Sequence, residues 1–334
     1  MIHRGPAEDP ALVTVLGASG FIGTAVLAAL APLPLRVRAV ARRPVTPPPG
    51  PARFEIRTAD LTDPDQLAGA VTGAHAVISL VLDARGWRGA DDAGTRVDVD
   101  VMRRLVRVLP TAGQAAPRPP VVLFAGSASQ VGPPPRLPID GSEPDRPATG
   151  YDRQKQLAED VLMDASRAGL VRGVSLRLPT VFGPSAGGPD RGVVSAMIRR
   201  ALAGQPLTMW HDGRIVRELL YVHDAAAAFV AALEHADTLA GRHWPLGRGR
   251  AEPLGAIFRM IAGLVAEQSG RPPVPVVAVP PPADARHSDF HDMAVDPTAF
   301  ATATGWHPAV PLRDALRRTV AALAHDPAGT GSTL

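Results

Sequence analysis

The 334-residue sequence contains no cysteine. This absence excludes a disulfide scaffold, a thiolate nucleophile, an iron–sulfur cluster and a cysteine-ligated zinc. Lysine is nearly absent too, since Lys155 is the single lysine among 35 basic residues, and tyrosine occurs only twice. The formal net charge is only +3, so the charge balance gives no support for nucleic acid or an anionic membrane as a partner.

One long apolar run, Ala11 to Leu35, could be read as a signal peptide or a membrane span. Three glycines interrupt it, acidic residues precede it and prolines follow at once. We therefore expect a buried strand that leads into a buried helix, in a cytoplasmic protein with no membrane partner.

Apolar, β-branched runs alternate with helical segments along the first half of the chain. The predicted strands are Ala11–Leu16, Leu35–Val40, Arg53–Arg57, Ala76–Leu82, Val121–Phe124 and Gly173–Leu178. The predicted helices between them are Gly20–Leu30, Pro64–Thr72, Gly94–Leu109 and Gly150–Ala168. This order predicts an α/β fold with a Rossmann-type, doubly wound parallel sheet.

After about residue 180 the elements become shorter and the loops richer in glycine and proline. Helices are predicted at Val193–Ala203, Ala225–Glu234, Leu254–Glu267 and Leu312–Leu323. We expect a dinucleotide-binding domain over residues 1–180. Residues 181–330 should form mainly a smaller α/β substrate-binding lobe, with the chain crossing back to the first domain near 215–245.

Glycines at Gly17, Gly20 and Gly23 lie between the first predicted strand and the first predicted helix. In such a turn the first glycine permits a tight bend, the second lets backbone N–H groups approach a pyrophosphate, and the third lets the helix pack on the sheet. We expect the turn to bind a dinucleotide through these residues and their neighbours Ser19, Phe21 and Ile22. A strand-to-helix turn without a ligand is the alternative.

The end of the second strand carries Arg42 and Arg43 and no acidic residue. An acid there would accept hydrogen bonds from a ribose 2′-hydroxyl, whereas arginines can bind a 2′-phosphate. The cofactor is therefore expected to be NADP(H), unless both arginines are solvated surface charges. Asp60 and Leu61, after the third strand, are expected at the adenine end.

Lys155 stands four residues after Tyr151, which places both on one face of a helix. A phenol with its ordinary pKa near ~10 is a weak acid–base group at neutral pH. A nearby ammonium stabilises the phenolate and is expected to lower the pKa of Tyr151 toward the working pH. We therefore expect the two residues to be a catalytic pair.

Together, the glycine turn and Tyr151-x-x-x-Lys155 resemble the extended short-chain dehydrogenase/reductases, the group of the nucleotide-sugar epimerases and dehydratases. The resemblance covers nearly the whole chain. It implies that Ser127 is the catalytic serine, with Ser129 as the alternative, and that Leu80 and Pro179 contact the cofactor. The substrate contacts that it implies are Ser127, Thr180, Arg191, Trp210 and Arg217.

A narrower similarity is to actinomycete 4-ketoreductases of deoxysugar pathways, carried by LGASGFIG, VRGVSLRLPTVFGPS and the segment Gly192–Gly213. It implies NADPH-dependent reduction of the C4 ketone of a dTDP-4-keto-6-deoxyhexose, which can also lack the 2-oxygen, in antibiotic biosynthesis. It also implies a homodimer formed through the helices Gly94–Leu109 and Gly150–Ala168. The apolar stripe Val97, Val101, Leu105 and Val108 fits either a core face or a dimer face.

Three alternatives stay open. An NAD-dependent nucleotide-sugar 4-epimerase uses the same serine, tyrosine and lysine, whereas a 4,6-dehydratase adds acids beside the serine, where this chain has Ala128 and Ser129. A non-catalytic NADP(H) sensor tends to lose the tyrosine or the lysine. A metal site at His287 and His291 lacks a glutamate next to the first histidine, so we expect no metal. The chain also departs from many relatives in having Asp98 where they have asparagine.

Overall fold

The computed structural model describes residues 10–82, 97–112, 118–185, 192–210, 212–281 and 290–325. Its strands, in chain order, are β1 (Leu12–Leu16), β2 (Arg36–Ala41), β3 (Arg53–Thr58), β4 (Ala76–Ser79), β5 (Val121–Ser127), β6 (Arg172–Leu178), β7 (Thr180–Phe182), β8 (Leu207–Trp210), β9 (Val216–Arg217), β10 (Leu219–Tyr221), β11 (Arg242–Pro245), β12 (Glu252–Pro253) and β13 (Val276–Val279).

Its helices are α1 (Phe21–Leu30), α2 (Pro64–Val71), α3 (Val97–Ala112), α4 (Gly150–Arg167), α5 (Val193–Leu202), α6 (Val222–Glu234), α7 (Ala236–Leu239), α8 (Leu254–Ser269), α9 (Thr298–Thr304) and α10 (Leu312–Ala324). A short 3₁₀ helix, Ala128–Val131, follows β5 directly. In the part of the chain that is described, none of these helices is both long and apolar enough to cross a membrane.

Seven strands form one parallel sheet in the spatial order β3-β2-β1-β4-β5-β6-β11. The order reverses between β1 and β4, so two halves wind outward from the middle of the sheet. The predicted doubly wound α/β fold is confirmed. The apolar run from Ala11 is divided between β1, which is buried along its whole length, and α1.

Helices cover both faces of the sheet, because the inner strands alternate apolar side chains between two cores. Val13 and Val15 of β1 pack into the core that includes α1 and α6. Leu16 packs into the other core, with α2, α3 and α4. A ligand therefore has access to the sheet at its carboxyl edge, where β1, β2, β4 and β5 all end.

The later part of the chain adds a smaller lobe and one strand of the main sheet. The parallel pair β8–β13 lies with α5, α8 and α10, and apolar residues of these helices continue the first core. Strand β11 pairs with β6 at the edge of the main sheet. A division into domains at residue 180 stays a prediction.

The apolar stripe on α3 lies partly in the core. Val101 and Leu105 are fully buried among residues of α2 and α4, whereas Val97 and Val108 are half-buried. The inner part of the stripe is thus explained by packing within one chain. Dimerisation through α3 and α4 stays a prediction.

Candidate active site

The glycine turn joins β1 to α1 at the carboxyl edge of the sheet. Gly17 has φ +84°, and a Cβ atom there would lie 2.8 Å from the carbonyl oxygen of Leu80. A Cβ on Gly23 would lie only 2.2 Å from the carbonyl oxygen of Gly17, so α1 could not start this close to the strand with any other residue. Both glycines are thus required by the backbone path.

The first turn of α1 suits an anion. Its N-cap, Gly20, has no side chain that could bond the first N–H groups of the helix. The N–H groups of Phe21 and Ile22 lie at the positive end of the helix dipole, the arrangement that binds phosphate in other proteins. Ser19, in the turn before the helix, is half-buried. The residues predicted to bind a dinucleotide therefore fit its pyrophosphate.

Arg42 and Arg43 follow β2 and are both exposed. Asp60 is exposed on the neighbouring turn after β3, and Leu61 beside it is buried. Hydrogen bonds from the Thr62 hydroxyl and N–H, together with the nearby Arg42 charge, lower the pKa of Asp60 below its ordinary value. The side chain of Asp60 therefore holds its own turn together and lies near the charge of Arg42.

Ser127, Tyr151 and Lys155 come together where β5 ends and α4 begins. Ser127 is the last residue of β5, and its N–H donates to Oε1 of the buried Gln130 over 2.8 Å. Tyr151 lies in the first turn of α4 and is hydrogen-bonded to Ser127. Ser127 rather than Ser129 therefore contacts the phenol.

Lys155 is buried one turn further along α4. Its ammonium nitrogen lies 2.8 Å from Oδ2 of Asp98 on α3, 4.9 Å from the centre of the Phe124 ring and 5.9 Å from that of Tyr151. Oδ1 of Asp98 is buried and has no hydrogen-bond partner among the described residues. Asp98, which stands where many relatives have asparagine, is thus the counter-ion of Lys155, the only lysine in the sequence.

The pKa of Tyr151 is raised, not lowered as the sequence predicted. Burial of the phenol is the largest cause, and it outweighs the charge of Lys155, which alone would lower that pKa. Asp98 raises the pKa of Tyr151 further because it compensates the ammonium. Burial and Asp98 therefore favour the neutral phenol, whereas Lys155 and Ser127 favour the phenolate.

A second carboxylate, Asp152, lies next to Tyr151 on the buried face of α4. Its Oδ1 accepts a hydrogen bond from the Ser129 hydroxyl over 2.5 Å, and the Ser127 and Ser129 oxygens are 2.7 Å apart. Its Oδ2 accepts from the N–H and hydroxyl of Thr149, the N-cap of α4. Burial raises the pKa of Asp152, and these hydrogen bonds oppose that rise.

The residues predicted to bind substrate lie on several elements after β6. Pro179 and Thr180 are half-buried where β6 leads into β7. The Trp210 ring, at the end of β8, lies 5.9 Å from that of Phe290. The guanidinium of Arg217 donates to the carbonyl oxygens of Val216 and His291. Arg191 lies outside the described residues, as does His287 of the metal alternative.

Sequence reasoning missed Asp152 and gave Asp98 no function. Asp152 stands three residues after Thr149, which is the spacing of a helix capping box. The capping box alone accounts for an aspartate at this position, so nothing in the sequence indicated that it lies beside the catalytic residues. Asp98 could have been found from its position alone, since an acid that replaces an asparagine in an apolar helix stripe needs a cation opposite it.

Comparison with known proteins shows which family the chain belongs to. Residues 13–247 match the model of the NAD dependent epimerase/dehydratase family. A dTDP-6-deoxy-L-talose 4-dehydrogenase (NAD(P)(+)) from Kitasatospora kifunensis is 30% identical over 330 residues, which cover 93% of this chain and 95% of that protein. A UDP-glucose 4-epimerase from Mycolicibacterium smegmatis is 28% identical over 272 residues, covering 80% of this chain and 82% of that protein.

A solved structure agrees with these relatives. The UDP-glucose 4-epimerase of Thermotoga maritima, determined with UDP-glucose, superimposes with a TM-score of 0.76 at 22% identity and covers 93% of this chain and 98% of its own. At that identity the likeness supports the fold alone. The family match spans most of the chain and includes the glycine turn, Ser127, Tyr151 and Lys155. On this evidence the chain belongs to the NAD-dependent epimerase/dehydratase family and has the residues of a nicotinamide-dependent enzyme.

Proposed function

We propose that the protein uses NADPH to reduce the C4 ketone of a dTDP-4-keto-6-deoxyhexose, with or without the 2-oxygen. The observation that carries the proposal is the placement of Tyr151, which is half-buried, contacts Ser127 and lies one helical turn before a lysine whose charge Asp98 compensates. A ketone reduction ends with a proton delivered to an alkoxide, so its tyrosine must start as a neutral phenol.

The residues divide the reaction between them. Tyr151 donates its proton to the oxygen at C4, and Ser127 orients the carbonyl from the other side. The bound NADPH supplies hydride. Lys155 remains charged, because Asp98 raises its pKa although burial alone would lower it, and it orients groups near Tyr151. The N–H groups of Phe21 and Ile22 hold the cofactor pyrophosphate.

The nucleotide part of the substrate would lie on the smaller lobe. We expect Arg217 and Arg191 to bind its diphosphate by charge-assisted hydrogen bonds, and Thr180 and Trp210 to contact the sugar. The similarity to a dTDP-sugar 4-dehydrogenase over nearly the full length of both chains supports a dTDP-sugar as the substrate. An NAD-dependent 4-epimerase, which uses the same serine, tyrosine and lysine and begins by removing a proton from a hydroxyl, is the alternative that the first experiment distinguishes.

The first experiment follows absorbance of the reduced nicotinamide with purified protein, NADPH and dTDP-4-keto-6-deoxyglucose. We expect substrate-dependent loss of absorbance. Tyr151→Phe should abolish it while leaving NADPH binding nearly intact, whereas Tyr221→Phe, the matched change at the other tyrosine, should retain it. Full activity in Tyr151→Phe would overturn the assignment. Absence of turnover, combined with release of tightly bound NAD on denaturation, would favour the epimerase instead.

Cofactor preference is tested at the end of β2. Replacing Arg42 and Arg43 by alanine should raise the KM for NADPH by roughly tenfold or more, since each charge-assisted hydrogen bond contributes about 1.5–3 kcal/mol. The KM for NADH should change little. Arg167→Ala, which removes an exposed arginine at the far end of α4, is the control. Equal losses with both cofactors would contradict a 2′-phosphate site at these arginines.

A further inference from the structure

Residues 293–296 run between two parts of the protein that carry residues of the active site, and we call them the bridging segment. On one edge the N–H of Met293 donates to the carbonyl oxygen of Val216 over 3.1 Å, and its carbonyl oxygen accepts from the N–H of Glu218 over 2.9 Å. These two hydrogen bonds lie on either side of Arg217, so Met293 is the parallel partner of Arg217 in β9.

The other edge of the bridging segment is bonded to the loop between the 3₁₀ helix and α4. The N–H of Ile139 donates to the carbonyl oxygen of Ala294 over 2.9 Å, and the carbonyl oxygen of Ile139 accepts from the N–H of Asp296 over 2.8 Å. Ile139 is thus the parallel partner of Val295. With backbone hydrogen bonds on both edges, the bridging segment lies between β9 and Ile139 as a middle strand does in a sheet.

Side chains of the bridging segment pack under the turn that follows the catalytic serine. Val295 and Ile139 are buried and form a small core with Ala128 and Val131 of the 3₁₀ helix. Ser127 is the N-cap of that helix as well as the last residue of β5. The position of Ser127 is therefore held on one side by the main sheet and on the other by this small core.

Arg217 is attached to the same stretch of chain by its side chain. Its guanidinium donates to the carbonyl oxygen of His291, just before the bridging segment. The N–H of Val216 donates to Oδ1 of Asp292 over 2.9 Å. One short stretch thus contacts both the arginine that is expected to bind the substrate diphosphate and the helix that Ser127 caps.

We infer that the bridging segment is a spacer that fixes the position of Ser127 relative to Arg217, with Val295 as its main positioning residue. The inference rests on the proposed function, in which Arg217 binds the diphosphate and Ser127 orients the ketone of the same substrate. The C4 carbonyl lies across the sugar ring from C1, which carries the diphosphate. A fixed spacing of the two contacts therefore brings a C4 carbonyl to Ser127, and binding of the nucleotide contributes to kcat as well as to affinity.

Val295→Ala should separate orientation of the ketone from binding of the substrate. The smaller side chain leaves the backbone of the bridging segment in place but removes part of the core under the 3₁₀ helix. Because a misplacement of about 1 Å lowers a rate by about 100-fold, we expect kcat with dTDP-4-keto-6-deoxyglucose to fall by roughly tenfold or more. The KM values for the keto-sugar and for NADPH should stay within about twofold of the parent, since their binding contacts are retained.

Val320→Ala is the matched control, since Val320 is also 1% exposed but lies on α10 and packs into the first core. It should lower the melting temperature as Val295→Ala does and leave kcat near the parent value. Val295→Ile keeps a branched apolar side chain and should restore kcat. If Val295→Ala is poorly folded, Ile139→Val, a smaller change in the same core, should lower kcat by a smaller factor at unchanged KM.

A second measurement needs no substrate. Val131 lies in the 3₁₀ helix at one end of the spacer, whereas the N–H of Glu218 is bonded to Met293 at the other end. Because the spacer joins the two ends, Val131→Ala should speed amide hydrogen exchange at Glu218 and Met293 several-fold, and Val320→Ala should not. Mass spectrometry of peptides that contain these residues measures the exchange.

Unchanged exchange at Glu218 in Val131→Ala would contradict the spacer, since its two ends would then move independently. Faster exchange without turnover of a dTDP-keto-sugar would support the spacer and count against the proposed function alone. Where turnover is observed, a raised KM with unchanged kcat in Val295→Ala would show that the spacer does not orient the ketone. Equal losses of kcat in Val295→Ala and Val320→Ala would likewise refute the inference, because general destabilisation would then account for both.

Discussion

Two buried cations lie at the inner face of α4, and they differ in the number of carboxylates that pair with them. One is Arg177 of β6 and the other is Lys155 of α4 itself. Arg177 of β6 is 1% exposed and binds two carboxylates, with both of its terminal nitrogens on Asp145 and its Nε on Glu159 at 3.1 Å. Lys155 has one carboxylate, Asp98, whose second oxygen has no partner among the described residues. The Arg177 guanidinium thus has carboxylate partners at all three of its nitrogens, whereas the Lys155–Asp98 pair has a carboxylate oxygen without a partner among the described residues.

This difference separates an ion pair that holds elements together from one that serves chemistry. Glu159 also accepts a hydrogen bond from the Ser175 hydroxyl, so the Arg177 group joins α4, β6 and the segment before α4 with few unused donors or acceptors. A buried ion pair of that kind is expensive to break and is otherwise close to neutral for stability. Lys155, in contrast, has a single carboxylate partner among the described residues, and its charge acts on Tyr151.

The largest expected effect is that of Arg177→Met. The change leaves Glu159 and Asp145 without their cation, and removing one partner of a buried pair costs about 3–5 kcal/mol of unfolding free energy. Denaturant unfolding followed by circular dichroism measures the loss. Arg167→Met, which breaks an exposed pair with Asp164, should cost less than about 1 kcal/mol. Similar losses of unfolding free energy in the two variants would show that the buried Arg177 ion pairs do not hold these elements together.

The next effect is on acid stability. Burial alone would raise the pKa of Glu159, but hydrogen bonds from His243 and Arg177 more than offset it and hold the pKa at about 2, compared with 4.5 for an ordinary glutamate. The pKa is lowered on folding, so the resulting stability is complete above about pH 4.5 and is lost as the pH falls toward 2. In total this contributes about 3 kcal/mol.

Glu159→Gln should lack this part of the pH dependence. Its unfolding free energy should be lower than that of the parent at neutral pH, and the two values should converge as the medium becomes acidic. Glu234→Gln, at the last residue of α6, provides a control for loss of one carboxylate. Parallel curves for the parent and Glu159→Gln would mean that other carboxylates set the acid sensitivity.

The sequence was sufficient wherever the determinants are local. The glycine turn follows from Gly17 and Gly23, whose backbone requirements act within a few residues, and the Tyr151–Lys155 pairing follows from helical spacing. The doubly wound parallel sheet follows from the alternation of strands and helices along the chain. These parts of the fold and site could be predicted because residues close together in the sequence determine them.

The buried charges could not be predicted in the same way. Asp152, Lys155 and Glu159 all lie on the inner face of α4, where an amphipathic pattern predicts apolar side chains. Their partners are Ser129, Asp98 and Arg177, which lie on other elements far along the chain. The sign of the Tyr151 shift was wrong for this reason, since burial and Asp98 are tertiary effects.

The smallest expected effect tests the Lys155–Asp98 pair directly. Asp98→Asn keeps an oxygen that can accept from Lys155 but removes the negative charge that raises the pKa of Tyr151. The pKa of Tyr151 should fall, because the ammonium is no longer compensated, and the high-pH decline of reduction should therefore begin at lower pH. Unfolding free energy should also fall, because the buried ammonium of Lys155 loses its counter-ion, but by less than in Arg177→Met, because the asparagine oxygen still accepts from Lys155.

Asp100→Asn is the matched control, since Asp100 lies on the same helix but is exposed and pairs with the exposed Arg103 at 3.6 Å. It should move neither the pH profile nor the unfolding curve. If Asp98→Asn destabilised the protein as much as Arg177→Met and left the pH profile unchanged, the two ion pairs would be alike and both structural. A moved pH profile with a smaller loss of stability than in Arg177→Met would instead show that the charge of Asp98 sets the proton affinity of Tyr151.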